Sequence, residues 1–213
     1  MLAKLLPFIK GKIRALSSAS KYKIKPGYIH KKEYTYLDKT EGNNEWQQEV
    51  YDAAKYRAEK NHYKTIIDFG CGSALKLLQK FPDYDTIGVE VGETVTKLKQ
   101  KYPDKNWYDV AQLDTEKLSA DLVICADVIE HVLDPDDFLK SLNKIDFKYL
   151  YISTPDRNIL HSPWNYGPPR NPYHIREWSA YEFRKYIEQF FNVELQQITN
   201  YQQATQLLIC KKK

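Results

Sequence analysis

Hydrophobic positions change their period along this chain. From Glu45 to Lys60, Val50, Ala53, Ala54 and Ala58 recur at helical spacing, which predicts a helix with Asn43 or Asn44 at its start. From Thr65 onward, short apolar runs alternate with amphipathic stretches. The runs Thr65–Phe69, Asp85–Glu90, Trp107–Val110, Ala120–Asp127 and Tyr149–Ser153 are predicted strands. Between them, Leu75–Lys80, Glu93–Lys101 and Asp136–Ile145 are predicted helices, the second stopping before Pro103. This alternation specifies an α/β fold with a doubly wound parallel sheet. The end departs from it. Ser179 caps a predicted helix over Ala180–Phe190, and Val193–Ile198 and Gln206–Cys210 follow as strands joined near Asn200–Tyr201. An antiparallel C-terminal hairpin therefore closes a mostly parallel sheet.

By this pattern residues 1–62 form an N-terminal helical cap or accessory segment, and residues 63–213 the main domain. Residues 155–178 are a long stretch of little regular period, which in a compact domain is usually a functional loop. The length of 213 residues suits one domain with a small appendage. With 42% hydrophobic residues and a negative mean hydropathy, the composition is that of a globular protein. Residues 1–16 mix lysines with leucines and isoleucines, and Pro7 and the lysines interrupt what a secretion signal would need. Two readings stay open for them: packing on the domain or on a partner subunit, as in a homodimer, and weak contact with an anionic membrane surface. The net charge of +4 is too small to argue for nucleic acid. Cys71, Cys125 and Cys210 are widely spaced, with no CxxC and no Cys/His cluster. No metal site is assigned on that basis, and a reducing, cytoplasmic setting is expected.

The chemistry begins where the first strand ends. Gly70 and Gly72 allow a sharp turn and a close approach of backbone to a nucleotide ligand. The dinucleotide fingerprint GxGxxG fails, because Leu75 occupies its third small position. Asp68-Phe69-Gly70-Cys71-Gly72-Ser73-Ala74 instead follows the methyltransferase pattern of an acidic residue, any residue, then GxGxG, with Ala74 replacing the last glycine. Glu90, 18 residues beyond Gly72 and at the end of the second strand, can accept both ribose hydroxyls.

The segment from Asp121 through Ala126-Asp127-Val128-Ile129-Glu130-His131 to Pro135 resembles the class I S-adenosylmethionine-dependent methyltransferases. The resemblance is to the ubiquinone-methyltransferase-like group that includes bacterial small-molecule and sugar O-methyltransferases. Ser153 to Arg157, Gly167 to Pro169 and Asn171 to Trp178 are similar to a narrower subset associated with cell-surface glycans. The resemblance covers about residues 45–210 and implies a Rossmann-like seven-stranded sheet with an antiparallel last strand. It implies S-adenosylmethionine as cofactor, with Asp68, Gly70, Cys71 and Gly72 around the methionine end and Glu90 on the ribose. Leu113 and Asp114 would flank the adenine, Asp109 being the other candidate for Asp114's place. Ala126 and Asp127 would line the floor near the sulfonium, and Gln47 would sit on a covering helix.

A hydroxyl acceptor needs its proton taken during attack, which suits a histidine at neutral pH. His131 and His174 are the candidates, against a purely structural role for His131. Arg157, Tyr173, Arg176 and Trp178 are expected on the substrate side, able to bind an anion and stack on a sugar face. The plainer alternative is that Arg176, Glu177 and Trp178 anchor the last helix. The expected acceptor is a small molecule, a sugar or a nucleotide-linked sugar, rather than nucleic acid. The rivals are a quinone or phenol acceptor, a macromolecule, and a non-catalytic binding subunit.

Overall fold

The computed structural model describes residues 22–33 and 46–213. The expectations for residues 1–16, and for Asn43 or Asn44 as a cap, lie outside those residues. The helices are α1 (Gln48–Asn61), α2 (Leu75–Lys80), α3 (Gly92–Lys101), α4 (Pro135–Lys144), α5 (Arg157–Leu160) and α6 (Ala180–Ile187). The strands are β1 (Thr65–Phe69), β2 (Asp85–Glu90), β3 (Asn106–Asp109), β4 (Ser119–Ala126), β5 (Asp146–Pro155), β6 (Phe191–Asn200) and β7 (Thr205–Lys212). They form one seven-stranded sheet in the order β3-β2-β1-β4-β5-β7-β6, parallel except where β7 pairs antiparallel with β5 and β6. No helix among the described residues is long and apolar enough to cross a membrane.

Period-two alternation puts successive strand residues on opposite faces, and helices cover both. Ile66, Leu122 and Ile124 pack with Val50, Tyr51, Ala54 and Ala58 of α1 and with Leu77 and Phe81. Ile67, Val123 and Cys125 face the other way, onto Leu139 and Leu142 of α4 and Phe183, Tyr186 and Ile187 of α6. Asp134 accepts from the amides of Asp136 and Asp137 ahead of Pro135, and Ser179 and Glu182 form a capping box on α6. Strands β5 and β6 are longer than their hydrophobic runs, because ladder pairing extends past the apolar residues.

Gly88 in β2 is dictated by its neighbour. A Cβ there would lie 2.3 Å from the Trp107 ring and 2.9 Å from Cys71 Sγ. Gly88→Ala is expected to cost about 1–3 kcal/mol by overpacking. The check is a lower denaturant midpoint with an unchanged slope.

Residues 22–33 form a strap over the far side of the sheet. Ile24 and Tyr28 join the core, the Trp178 indole donates to the Tyr22 carbonyl (2.9 Å), and the Glu177 amide donates to the Tyr28 hydroxyl (3.0 Å). Lys31 N–H donates to the Ile175 carbonyl (2.9 Å), so the strap is laced to the segment after β5.

Candidate active site

The sheet order turns between β1 and β4, and ligands of such sheets bind at the carboxyl ends of the strands flanking that point. There β1 opens into a tight loop. Gly70, Gly72 and Ala74 have φ of +85°, +55° and +59°. A Cβ on Gly70 would lie 2.3 Å from Val128 Cγ2, so its absence lets this loop meet the one after β4. Ala74, the departure from the glycine pattern, takes the left-handed conformation that glycine adopts freely, at a cost of about 1–2 kcal/mol. Cys71 is a buried free thiol whose pKa burial pushes well up.

Asp68 ends up beneath this loop, buried, with Oδ2 accepting from the Tyr51 hydroxyl at 2.9 Å. Its Oδ1 is buried without a hydrogen-bond partner. Burial pushes the carboxyl up to about 7, against the Tyr51 hydroxyl and Lys76, which favour the charge. Glu90 turns back on the loop, its two oxygens accepting from the Gly72 amide (2.9 Å) and the Val91 amide (2.9 Å). A carboxylate has about four lone-pair directions, so each oxygen retains one for another donor.

Asp109 is the register partner of Glu90, side by side at the strand ends, and accepts from the Ala111 amide (3.0 Å). Asp114 lies farther along, exposed, accepting from the Glu116 amide (3.2 Å) and pairing with Lys117 (3.2 Å), which holds its carboxyl below its usual range. Leu113 is half-buried against the core.

At the end of β4, Ala126 is buried and Asp127 has φ +52°. Asp127 Oδ1 accepts from the Ser153 hydroxyl (2.6 Å) and Oδ2 from the Gln47 amide (3.0 Å). Gln47 N–H donates to Gln203 Oε1 (3.2 Å), and Asn200 Nδ2 donates to Glu49 Oε1 (2.8 Å). The start of α1 is thus tied to the end of β4 and to the β6–β7 turn. Tyr51 and Ser153 are site residues that the sequence reading did not single out. Tyr51 was findable, since it lies one helical turn after Gln47 and shares its face. Ser153 becomes a neighbour of Asp127 only through the pairing of β4 with β5.

The 3-10 turn Ile129–His131 follows. Glu130 is fully buried, its Oε2 accepting from the Thr154 hydroxyl (2.9 Å), and its carbonyl accepts from Ile175 N–H (2.8 Å). That pairing brings His174 edge-on to His131, ring centroids 5.0 Å apart. His131 Nδ1 contacts the Tyr173 carbonyl (2.9 Å), and His174 Nδ1 contacts Glu177 Oε1 (2.8 Å).

The expected substrate residues separate. Tyr173 is half-buried beside this pair. Arg157 is buried, paired with Glu182 (2.7 Å) and donating to the Glu177 carbonyl (2.9 Å). Arg176 is buried and donates to the Val132 (2.6 Å) and Leu133 (2.8 Å) carbonyls. Trp178 is buried and stacks on Tyr186, with ring centroids 5.6 Å apart. Arg157, Arg176 and Trp178 are thus held by partners inside the protein, as the anchoring alternative expected of Arg176 and Trp178. Arg170 and Trp164 are among the exposed members of the loop, Trp164 at 83%.

A family model described as a methyltransferase domain matches residues 39–196. Curated protein sequences show no match. Among solved structures, the chain is similar to the Burkholderia thailandensis 1,6-didemethyltoxoflavin-N1-methyltransferase, crystallised with S-adenosylhomocysteine. The TM-score is 0.59 at 16% identity over 83% of this chain and 84% of that one. It is similar to the Synechocystis PCC 6803 magnesium protoporphyrin IX methyltransferase, with a TM-score of 0.55 at 17% identity over 78% of this chain and 83% of that one. It is similar to the methyltransferase domain of a bacterial Hen1, with a TM-score of 0.57 at 23% identity over 78% and 97%. At such identities the likeness is one of fold.

Proposed function

The chain belongs to the methyltransferase-domain family, and from that footing we propose that it transfers a methyl group from S-adenosylmethionine to a hydroxyl of a small molecule, a sugar or glycan intermediate. One observation carries this reading: the glycine loop abuts Val128, two residues before Glu130 and three before His131, whose ring meets that of His174.

The residues fit the cofactor. Gly70 leaves room that a side chain would fill, and the partnerless Asp68 Oδ1 suits the cofactor's ammonium. When bound, the cofactor supplies an electrophilic methyl on a positively charged sulfur. Glu90 takes the ribose hydroxyls. Helix α1, pinned through Gln47 to Asp127, covers the crevice and excludes water. Two imidazoles and a carboxylate face the acceptor hydroxyl. Trp164 and Arg170 offer a stacking surface and a cation for a sugar bearing an anionic group. Three buried free cysteines suit the cytoplasm.

The test is transfer of radiolabelled methyl to a panel of nucleotide sugars, glycans, phenols and RNA. Label in sugar hydroxyls is expected, and label only in RNA or phenols overturns the acceptor. Glu90→Ala is expected to weaken cofactor binding about 10–100-fold by calorimetry, the scale of hydrogen bonds to a charged group. Absence of cofactor binding by the unaltered protein overturns the whole reading.

A further inference from the structure

The structure assigns a divalent-cation site to Glu130, His131 and His174. One ligand atom from each lies within 4.8 Å of the other two. The three residues come from two loops, joined where Ile175 N–H donates to the Glu130 carbonyl at 2.8 Å.

The hydrogen bonds fix which atoms face the centre. The partners of the two Nδ1 atoms are the Tyr173 carbonyl and the Glu177 carboxylate, and neither can donate. Both Nδ1 atoms therefore carry a proton, and in the neutral ring that leaves Nε2 as the nitrogen with a lone pair for a ligand. An Nδ1–H held by a carbonyl or carboxylate is how proteins orient and strengthen a metal-ligating imidazole. Glu177, 1% exposed, is placed for this by a second neighbour, His161 Nε2, at 3.2 Å. Across the centre, Thr154 holds Glu130 Oε2, and Oε1 lies 3.8 Å from His131 Nε2. That gap exceeds a hydrogen bond but suits two ligands on one ion. Glu130 is 0% exposed, and a buried carboxylate attracts a cation more strongly than one in water does. His174 Nε2 faces the Asn171 amide nitrogen at 3.0 Å, so an entering cation displaces that contact.

Two imidazole nitrogens and one carboxylate oxygen suit manganese, iron or zinc better than calcium or magnesium. Three protein ligands leave coordination positions open. A vicinal diol, whose hydroxyls the cation would hold and polarise, is one bidentate oxygen donor able to fill two adjacent positions, and it is the one that a sugar acceptor presents. This substrate half rests on the proposed methyl transfer. The cation site itself does not. A histidine whose Nε2 holds a cation takes no proton there, so the cation replaces the histidine base.

The test is titration of the chelator-treated full chain with manganese(II), followed by the loss of the free-ion EPR signal and by calorimetry. S-adenosylmethionine binding is measured on the same samples. One ion per chain is expected. His131→Ala and His174→Ala are each expected to weaken it at least about tenfold, with cofactor affinity within about threefold of the parent, a margin well under 1 kcal/mol. No manganese binding by the parent at millimolar ion overturns the site, and so does unchanged binding in both variants. Should a variant lose cofactor binding as well, the parent's stoichiometry decides. Manganese binding without cofactor binding leaves the site standing and removes the methyltransferase reading.

Discussion

Asp68→Asn is expected to raise the stability of the ligand-free protein at pH 8 while weakening cofactor binding. Burial lifts the Asp68 carboxyl from its ordinary value of 3.8 to about 7. The folded state thus holds this proton more tightly than the unfolded chain does. The stability it contributes is fully present below about pH 4 and is lost as pH rises to about 7. At pH 8 the folded protein carries a buried charge whose Oδ1 has no hydrogen-bond partner. The amide removes that charge and can still accept from Tyr51. A gain of about 1–3 kcal/mol at pH 8 is expected, at about 2–4 °C of melting temperature per kcal/mol, with little change at pH 4. Cofactor affinity goes the other way. The ammonium needs the carboxylate, so parent affinity rises with pH and levels off above about 7. The variant binds about 10–100-fold more weakly at pH 8, with a flat profile. Calorimetry and thermal unfolding from pH 5.5 to 8.5 measure both. A variant that loses stability and affinity together would sink the assignment.

Arg157→Ala is expected to be the most destabilising single change in the segment after β5. The guanidinium is 1% exposed, 2.7 Å from Glu182, and packs over the Tyr28 ring at 5.0 Å. Burial works to raise the Glu182 carboxyl, yet the Arg157 guanidinium and the Ser179 amide outweigh it and hold it below its usual range. Its folded value is therefore depressed, so the pair contributes stability at neutral pH that fades as the carboxyl protonates in acid. Removing one partner of a buried pair costs about 3–5 kcal/mol, which for this size lowers the melting temperature by about 6–20 °C. In the variant the stranded carboxylate takes up a proton more readily, so the deficit shrinks as pH falls toward 5. An unchanged melting temperature with a raised KM for an anionic acceptor would restore Arg157 to the substrate side.

Arg157 shows what the sequence reading had no means to separate. Arginines and aromatics crowded in a loop read alike whether they bind a ligand or brace a helix. Tertiary contacts separate the two: Glu182 pairs with Arg157, the Val132 and Leu133 carbonyls hold Arg176, and the strap at residues 22–33 adds Tyr28 against Arg157 and Tyr22 against Trp178 and Arg176. The grouping of Glu130 with the two histidines escaped for a similar reason. His174 lies 43 residues from His131 in sequence, and the loops meet through tertiary hydrogen bonds such as Ile175 N–H to the Glu130 carbonyl and Arg176 to the Val132 and Leu133 carbonyls.

The local pattern alone determined the alternation of strands and helices, the closing hairpin and the glycine loop from Asp68 to Gly72. Each is a short-range property: period-two or helical burial, a capping serine, a glycine where φ is positive. Leu75 and Glu90 were informative because strand, turn and helix lengths fix their distance from the loop. Tertiary structure decided the ionisation of Asp68, the partner of Asp127, the bracing role of Arg157 and the meeting of His131 with His174. Those depend on desolvation and on contacts between segments far apart in sequence, which no local period encodes.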